Sequence, residues 1–313
     1  MQSLLQKHAA AAACAAPALL VPAAASAAYK RLQVQLIVDC ARFVSNQFQQ
    51  GKFDECFPRI SALQRHYLAE ALSDLTPDRK KVLEIGIIVC FLLRRYESSG
   101  DLDPQTNKIL AQELMKQLHE LVQGLCRVGA FTLDSLRLFL IDYINSKYTW
   151  FFPSQCALDA LAHAIGSGST LDVGTGTALL PRLMRDVHGI HMMSIDKVKW
   201  PHSFSEVLLC NGENFEFEKY GISTLLFTWP SPEPTLEKDL IKTMLRFLKS
   251  SSGVKKVIVI GTPPDETGRL VGCHGTQGFW NVLLQHFTKV TSTEIPSSLL
   301  HDCEAVMVFE QKK

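Results

Sequence analysis

The sequence predicts an α/β protein in two parts: an all-α N-terminal segment, then a mostly parallel seven-stranded sheet whose last strand is antiparallel. Three observations carry this reading. From Tyr29 to about Ser146, apolar residues recur at i, i+3, i+4 and i+7, the spacing of helices with one buried stripe. After Trp150, short apolar runs alternate with helical stretches, which implies parallel strands joined by right-handed crossovers. The last two runs are separated only by a short loop through Pro296 and Ser297, so the final strand should turn back antiparallel.

Each element can be justified in turn. Leu32, Leu36, Ile37, Cys40, Phe43 and Val44 form one apolar stripe, and Phe57, Ile60, Leu63, Tyr67, Leu68 and Leu72 form the next. Leu75-Thr76-Pro77-Asp78 reads as a helix stop and restart. Residues 80–96 are apolar nearly all round, which predicts a central helix. Pro104 sits near the start of a fourth helix, and Leu133 to Ile144 supply a fifth, expected to be capped by Thr132 with Asp134 in its first turn. The strands are expected at 170–173, 191–195, 206–210, 224–228, 256–260, 290–295 and 305–310. Helices at 154–165, 177–187, 236–250 and 277–287 lie between most of them. The expected organisation is a leader over 1–28, a helical module over 29–147 and a sheet domain over 148–313.

The leader is dominated by alanine and holds no acid; the first carboxylate is Asp39. Pro17 and Pro22 break it, and the first arginine is Arg31, which is poor for an organelle transit peptide. It reads as disordered or loosely helical. An organelle presequence, and a secretory signal cut near Ala25-Ser26-Ala27, are the alternatives. The compartment expected is the cytoplasm, or the mitochondrion if the leader is a presequence.

Composition removes several function classes. With 32 basic and 31 acidic residues among 313, the chain offers no global field for a nucleic-acid backbone or an anionic membrane. Nine dispersed cysteines without a C-x-x-C pair argue against a disulfide framework and a zinc site, and the histidines show no metal spacing. No metal is expected. The best candidate for a membrane span, Val82 to Leu93, is interrupted by Glu84, followed by Arg94 and Arg95, and falls short of the about twenty residues a span requires.

The chemistry concentrates in Leu171-Asp172-Val173-Gly174-Thr175-Gly176-Thr177, where a strand ends and a helix begins. Glycines at 174 and 176 let the backbone turn sharply and approach a ligand, and the following helix presents free N–H groups. Asp196 falls 22 residues after Gly174, at the tip of the next strand, where a carboxylate can accept from both hydroxyls of a ribose. A dinucleotide site would want a third glycine at the position of Leu179, and Asp172 would repel a pyrophosphate while suiting a cationic or amino-bearing ligand. By contrast, Leu83-Glu84-Ile85-Gly86 imitates the motif but runs on as helix.

With these residues the sequence resembles the class I S-adenosylmethionine (SAM)-dependent methyltransferases, a Rossmann-like family whose first motif is an acid followed by G-x-G. The resemblance spans about residues 148–313, strand count and terminal hairpin included. It implies SAM as cofactor, with Asp172, Gly174 and Gly176 along its methionine side and Asp196 at its ribose. Asn211-Gly212-Glu213 resembles the family's step after the third strand and would place Glu213 near the adenine amine.

After the fourth strand the chain reads Phe227-Thr228-Trp229-Pro230-Ser231-Pro232, without the Asn or Asp that grips an amine acceptor in many members. This segment, with Tyr148-Thr149-Trp150, is similar to a loosely defined methyltransferase-like set carrying Trp-Pro-Pro here. Candidate catalytic residues are Thr228, Trp229, Asp265 and His274, the last two in the long loop that also holds Glu266 and Cys273. The leading expectation is methyl transfer to an unidentified small-molecule or protein acceptor, with the helical module forming an acceptor wall or a homodimer surface. The rivals are a non-enzymatic scaffold keeping the fold and, less favoured, a nicotinamide-dependent oxidoreductase.

Overall fold

The computed structural model describes Phe57 and residues 60–129, 134–149, 151–231, 233–250, 255–262, 264, 275–295 and 304–312. The leader, the stripe over 32–44, Thr132, Trp150, Asp265, Glu266, Cys273 and His274 lie outside the described residues.

Helix α1 (Ala62–Ser73) opens on a reciprocal cap: the Ser61 hydroxyl accepts from Gln64 N–H, and the Gln64 side chain accepts from Ser61 N–H. Helix α2 (Pro77–Glu97) starts after Thr76, with proline at its first turn and ten buried residues along its length. Helix α3 (Pro104–Gly129) packs along it. Helix α4 (Ser135–Asn145) begins later than the sequence suggests. Its N-cap is Asp134, which accepts from Leu136 N–H and Arg137 N–H and also pairs with Arg79 at 2.8 Å. The cap therefore doubles as a tie to the start of α2. Glu84 and Gly86 sit mid-helix in α2, and a Cβ at Gly86 would meet Leu140 Cδ2 at 2.6 Å.

Helix α5 (Gln155–Ile165) leads into β1 (Thr170–Val173), α6 (Leu179–His188), β2 (Met193–Asp196), β3 (Leu208–Leu209), β4 (Thr224–Thr228), α7 (Pro234–Lys249), β5 (Lys256–Gly261), α8 (Gln277–His286), β6 (Phe287–Ile295) and β7 (Glu304–Gln311). The strand order is β3-β2-β1-β4-β5-β7-β6. All pairs among β1 to β5 are parallel, and β7 runs antiparallel between β5 and β6. This is the α/β sheet the sequence predicts. The edges differ in detail: β3 keeps only two residues of the 206–210 run, and β6 starts at Phe287, directly after α8.

Strand periodicity divides the core. Leu226, Ile258, Ile260, Val306 and Val308 face the helical segment together with α5 and α6, in one apolar cluster that reaches from Phe57 to Val308. Leu225, Phe227, Val257, Val259, Met307 and Phe309 point the other way, onto α7 and α8. Polar contacts pin the helical segment to α6. Buried Arg182 donates to Ser99 Oγ at 2.7 Å, to the Phe204 carbonyl at 3.0 Å and to Asp186 at 3.0 Å, while the Tyr96 hydroxyl donates to Asp186 at 2.7 Å. Burial works to raise the Asp186 carboxyl, but hydrogen bonds from Arg185, Tyr96 and Arg182 outweigh it and hold it below the usual range. No helix among the described residues is long and apolar enough to cross a membrane.

Gly86→Val should overpack the α2–α4 contact and cost about 1–3 kcal/mol in urea unfolding. Because the contact is remote from the turn at Gly174, affinity for any nucleoside ligand should stay unchanged in the folded variant. Loss of ligand with stability intact would move the site to the wrong half of the chain.

Candidate functional site

The turn after β1 is built from left-handed backbone. Gly174 has φ +71° and Gly176 φ +60°, values at which a side chain is strained, and the N-cap of α6, Ala178, is also left-handed at +57°. Nothing lies within 4 Å of the place a Gly174 Cβ would occupy, so the backbone there borders open space. Ala178 makes no side-chain cap, which leaves the first turn of α6 without that partner. The turn is fastened to β2: Gly174 N–H and Thr175 N–H both donate to the Ile195 carbonyl, at 2.9 and 3.1 Å.

Asp196 completes the fastening. Its Oδ2 accepts from Gly176 N–H at 2.8 Å and from the Trp200 indole at 3.3 Å, and its Oδ1 accepts from Val198 N–H at 2.9 Å. Three donors hold the carboxylate at the cleft, with lone-pair capacity remaining. Sequence reasoning missed Trp200. The only hint is its place four residues after Asp196, and its ring approaches to 4.0 Å of a Cβ built at Gly176.

Two adjoining cavities open at this edge of the sheet. One, of about 550 Å³, is bounded by Gly174, Asp196, Asn211, Leu240 and Thr243, among others. The second, of about 130 Å³, lies against the helical segment, with Asn145, Tyr148, Asp172 and Thr175 on its wall. Gly174, Gly176, Trp200, Thr228 and Trp229 line both. The cleft thus brings together Asp172, Gly174, Gly176, Asp196, Thr228 and Trp229.

Glu213 stands on the turn that follows the cavity wall at Asn211 and Gly212. It does not line either cavity: its carboxylate pairs with Lys242 at 2.9 Å and accepts from Asn211 Nδ2 at 3.2 Å. The cause is the single 3-10 turn Gly212–Asn214, where Gly212 packs so close to Thr243 that a Cβ would come within 2.5 Å of its hydroxyl. Residues 211 and 212 lie on the cavity wall, and the Glu213 side chain reaches Lys242 of α7. Asp265 and His274 fall outside the described residues.

Two residues show local cost. Trp229 has φ +51°, rare for a bulky residue, while its N–H donates to the Ile260 carbonyl at 2.9 Å and its ring meets Phe151 edge-on at 6.4 Å. Asp172 is 2% exposed. Its Oδ2 accepts the Thr175 hydroxyl at 2.5 Å, and its Oδ1 has no hydrogen-bond partner among the described residues. Burial pushes its carboxyl up to about 7; Asp196 adds to the rise, and the Thr175 bond opposes it.

No family model matches the chain, and no curated protein matches it. Solved structures do. A Burkholderia thailandensis 1,6-didemethyltoxoflavin-N1-methyltransferase with bound S-adenosylhomocysteine is 15% identical, with a TM-score of 0.38 over 50% of this chain and 77% of that one. The N-methyltransferase NodS of Bradyrhizobium japonicum, in complex with S-adenosylhomocysteine, is 11% identical, with a TM-score of 0.36 over 61% and 98%. Human N-acetylserotonin methyltransferase in complex with SAM is 11% identical, with a TM-score of 0.35 over 84% and 69%. Seven strands, the last inserted antiparallel, complete the description. The chain has an α/β fold built on a mixed seven-stranded sheet.

The raised Asp172 carboxyl sets a pH signature. The folded protein holds a proton that the unfolded chain releases from about 3.8 upward, so stability falls as pH rises from there to about 7. The slope should reach at most about 1.4 kcal/mol per pH unit. Asp172→Asn should lack this component in urea unfolding across the same window; parallel profiles for variant and parent would refute it.

Proposed function

We propose that the protein is a SAM-dependent methyltransferase. The observation that supports this most is the turn at Gly174 and Gly176, stapled to Asp196 at the mouth of a cavity of about 550 Å³ that continues under Thr228 and Trp229. That volume lies within the range of cofactor sites. In this reading Asp196 takes the ribose hydroxyls with its remaining lone pairs. Trp200 and the main chain at Asn211 and Gly212 flank the base, with Glu213 next in the chain toward its amine. Asp172, buried and with one oxygen unpartnered, suits the positive end of the cofactor and would disfavour a pyrophosphate. Leu179, buried in the core at the start of α6, occupies the place of a dinucleotide site's third glycine.

SAM supplies an activated methyl group on a sulfonium, which transfers to a nucleophile as the C–S bond breaks and a neutral thioether leaves. The protein's part is positioning and exclusion of water. Thr228 and Trp229 stand where both cavities meet, beside the expected place of the methyl group, and the Trp229 ring can stack on a planar or cationic acceptor. One observation favours the scaffold reading instead: Trp229, not an amide or carboxylate, follows β4 and packs on Phe151.

Calorimetry with SAM, S-adenosylhomocysteine and NAD separates these readings, and the reading fails if neither adenosyl ligand binds. Asp196→Ala should weaken SAM binding by about 2–4 kcal/mol, since it removes charge-assisted bonds to the ribose and the anchor of Gly176 N–H. An unchanged affinity in a folded variant would refute the ribose role.

Trp229→Ala should leave SAM affinity within about threefold, under ~1 kcal/mol, and remove methyl transfer from radiolabelled SAM into extract. A variant that keeps both would make the tryptophan structural. SAM binding without labelling by the parent protein would favour the scaffold.

A further inference from the structure

Strand β6 is a long, open edge. Among the described residues its one strand neighbour is β7, so its outer side presents a row of backbone N–H and C=O groups outside any ladder. The strand is nine residues long, yet all seven from Thr288 to Glu294 are exposed, on both faces. Four of those seven are threonine or valine, which suit a strand, and none is proline. Such an edge is a template for one more strand. Its two charges say which. Lys289 and Glu294 are five residues apart, which in a regular strand puts them on opposite faces. A bulge at Val290 changes that: Lys289 is level with Phe309 of β7 and Thr291 with Val308, with Val290 taken up between them. Ser292 is level with Met307 and Glu294 with Ala305. Lys289 and Glu294 therefore stand two β7 positions to either side of Ser292 and share its face.

We propose that β6 pairs with β6 of a second copy of this chain, antiparallel about a two-fold axis at Ser292, so that the two seven-stranded sheets become one continuous sheet. A two-fold axis perpendicular to the sheet at that residue sets Lys289 of each copy opposite Glu294 of the other, and symmetry makes the ion pair twice. The neighbouring registers do not. An axis at Thr291 sets Lys289 opposite Ser292, and one at Thr293 sets Glu294 opposite Ser292. A base and an acid placed evenly about one residue match a second copy of the same strand better than a strand of unrelated charge. The bulge, elsewhere a device that turns an edge away from pairing, here brings the two charges into a self-complementary pattern. Val290, 46% exposed, is the large apolar side chain that pairing of this edge can cover.

The test uses the full chain and reads its mass by sedimentation equilibrium across the micromolar range, with no ligand needed. The parent should dimerise. Lys289→Glu and Glu294→Lys each set like charges opposite one another at two places, and each should weaken the dimer by about tenfold or more. Mixing the two variants is the decisive arm: a chain acidic at both positions then meets one basic at both, and a heterodimer as tight as the parent dimer should form. The double exchange, Lys289→Glu with Glu294→Lys in one chain, should likewise dimerise as the parent does, which separates lost pairing from lost folding. A monomeric parent overturns the proposal, whether β6 is covered by another segment of the chain or left bare. A dimer indifferent to both single variants overturns it too, and places the contact on another face such as the helical segment. Weakening that neither mixing nor the double exchange reverses refutes the register and the proposal with it.

Discussion

The site depends on one small constraint: the hydrogen bond from Gly176 N–H to the Asp196 carboxylate, seconded by Gly174 and Thr175 donating to the Ile195 carbonyl. A left-handed glycine turn on its own is a flexible thing. Bonded to the tip of the neighbouring strand, it acquires a fixed shape, and the parallel pairing of Val173 with Ile195 sets where that tip must lie. The same carboxylate then holds the Trp200 indole, so one side chain fixes the loop on its left and the aromatic wall on its right.

The second constraint is the way the helical segment is held. Its apolar residues share a cluster with one face of the sheet, and the Arg182–Asp186–Tyr96 contacts are buried and bonded. Removing one partner of such a network leaves a charge without compensation, so the polar contacts fix position more than they add stability. The Thr177 hydroxyl bonded to the Tyr148 carbonyl carries this registry to the glycine turn. The end of α4 thereby reaches the cavity wall at Asn145, and a segment that might have been a passive neighbour borders the ligand space.

Much of the fold was legible because strands and helices announce themselves by local period. Leu225 and Phe227 against Leu226, or Val257 and Val259 against Ile258 and Ile260, alternate as the sequence implies. The glycine turn and Asp196 were legible because their chemistry is local to a strand end. What the sequence does not reveal depends on tertiary contact. Glu213 faces Lys242 because Gly212 is wedged on Thr243, which no spacing reveals. Asp134 displaces Thr132 as the expected cap because Arg79 is there to pair with it. Asn145 and Trp200 carry no motif; only the approach of separate elements makes them part of a site.

Asp172 ties these levels together. A carboxyl so buried, raised to about 7 with one oxygen unpartnered, is an expensive choice for a strand that a leucine or valine would stabilise better. Natural sequences depart from local preference chiefly where a ligand compensates for the departure. The positive φ of Trp229, across the same cavity, is a second departure of that kind. Both costs border one space, and in the proposed reading the positive end of the ligand would compensate the first of them.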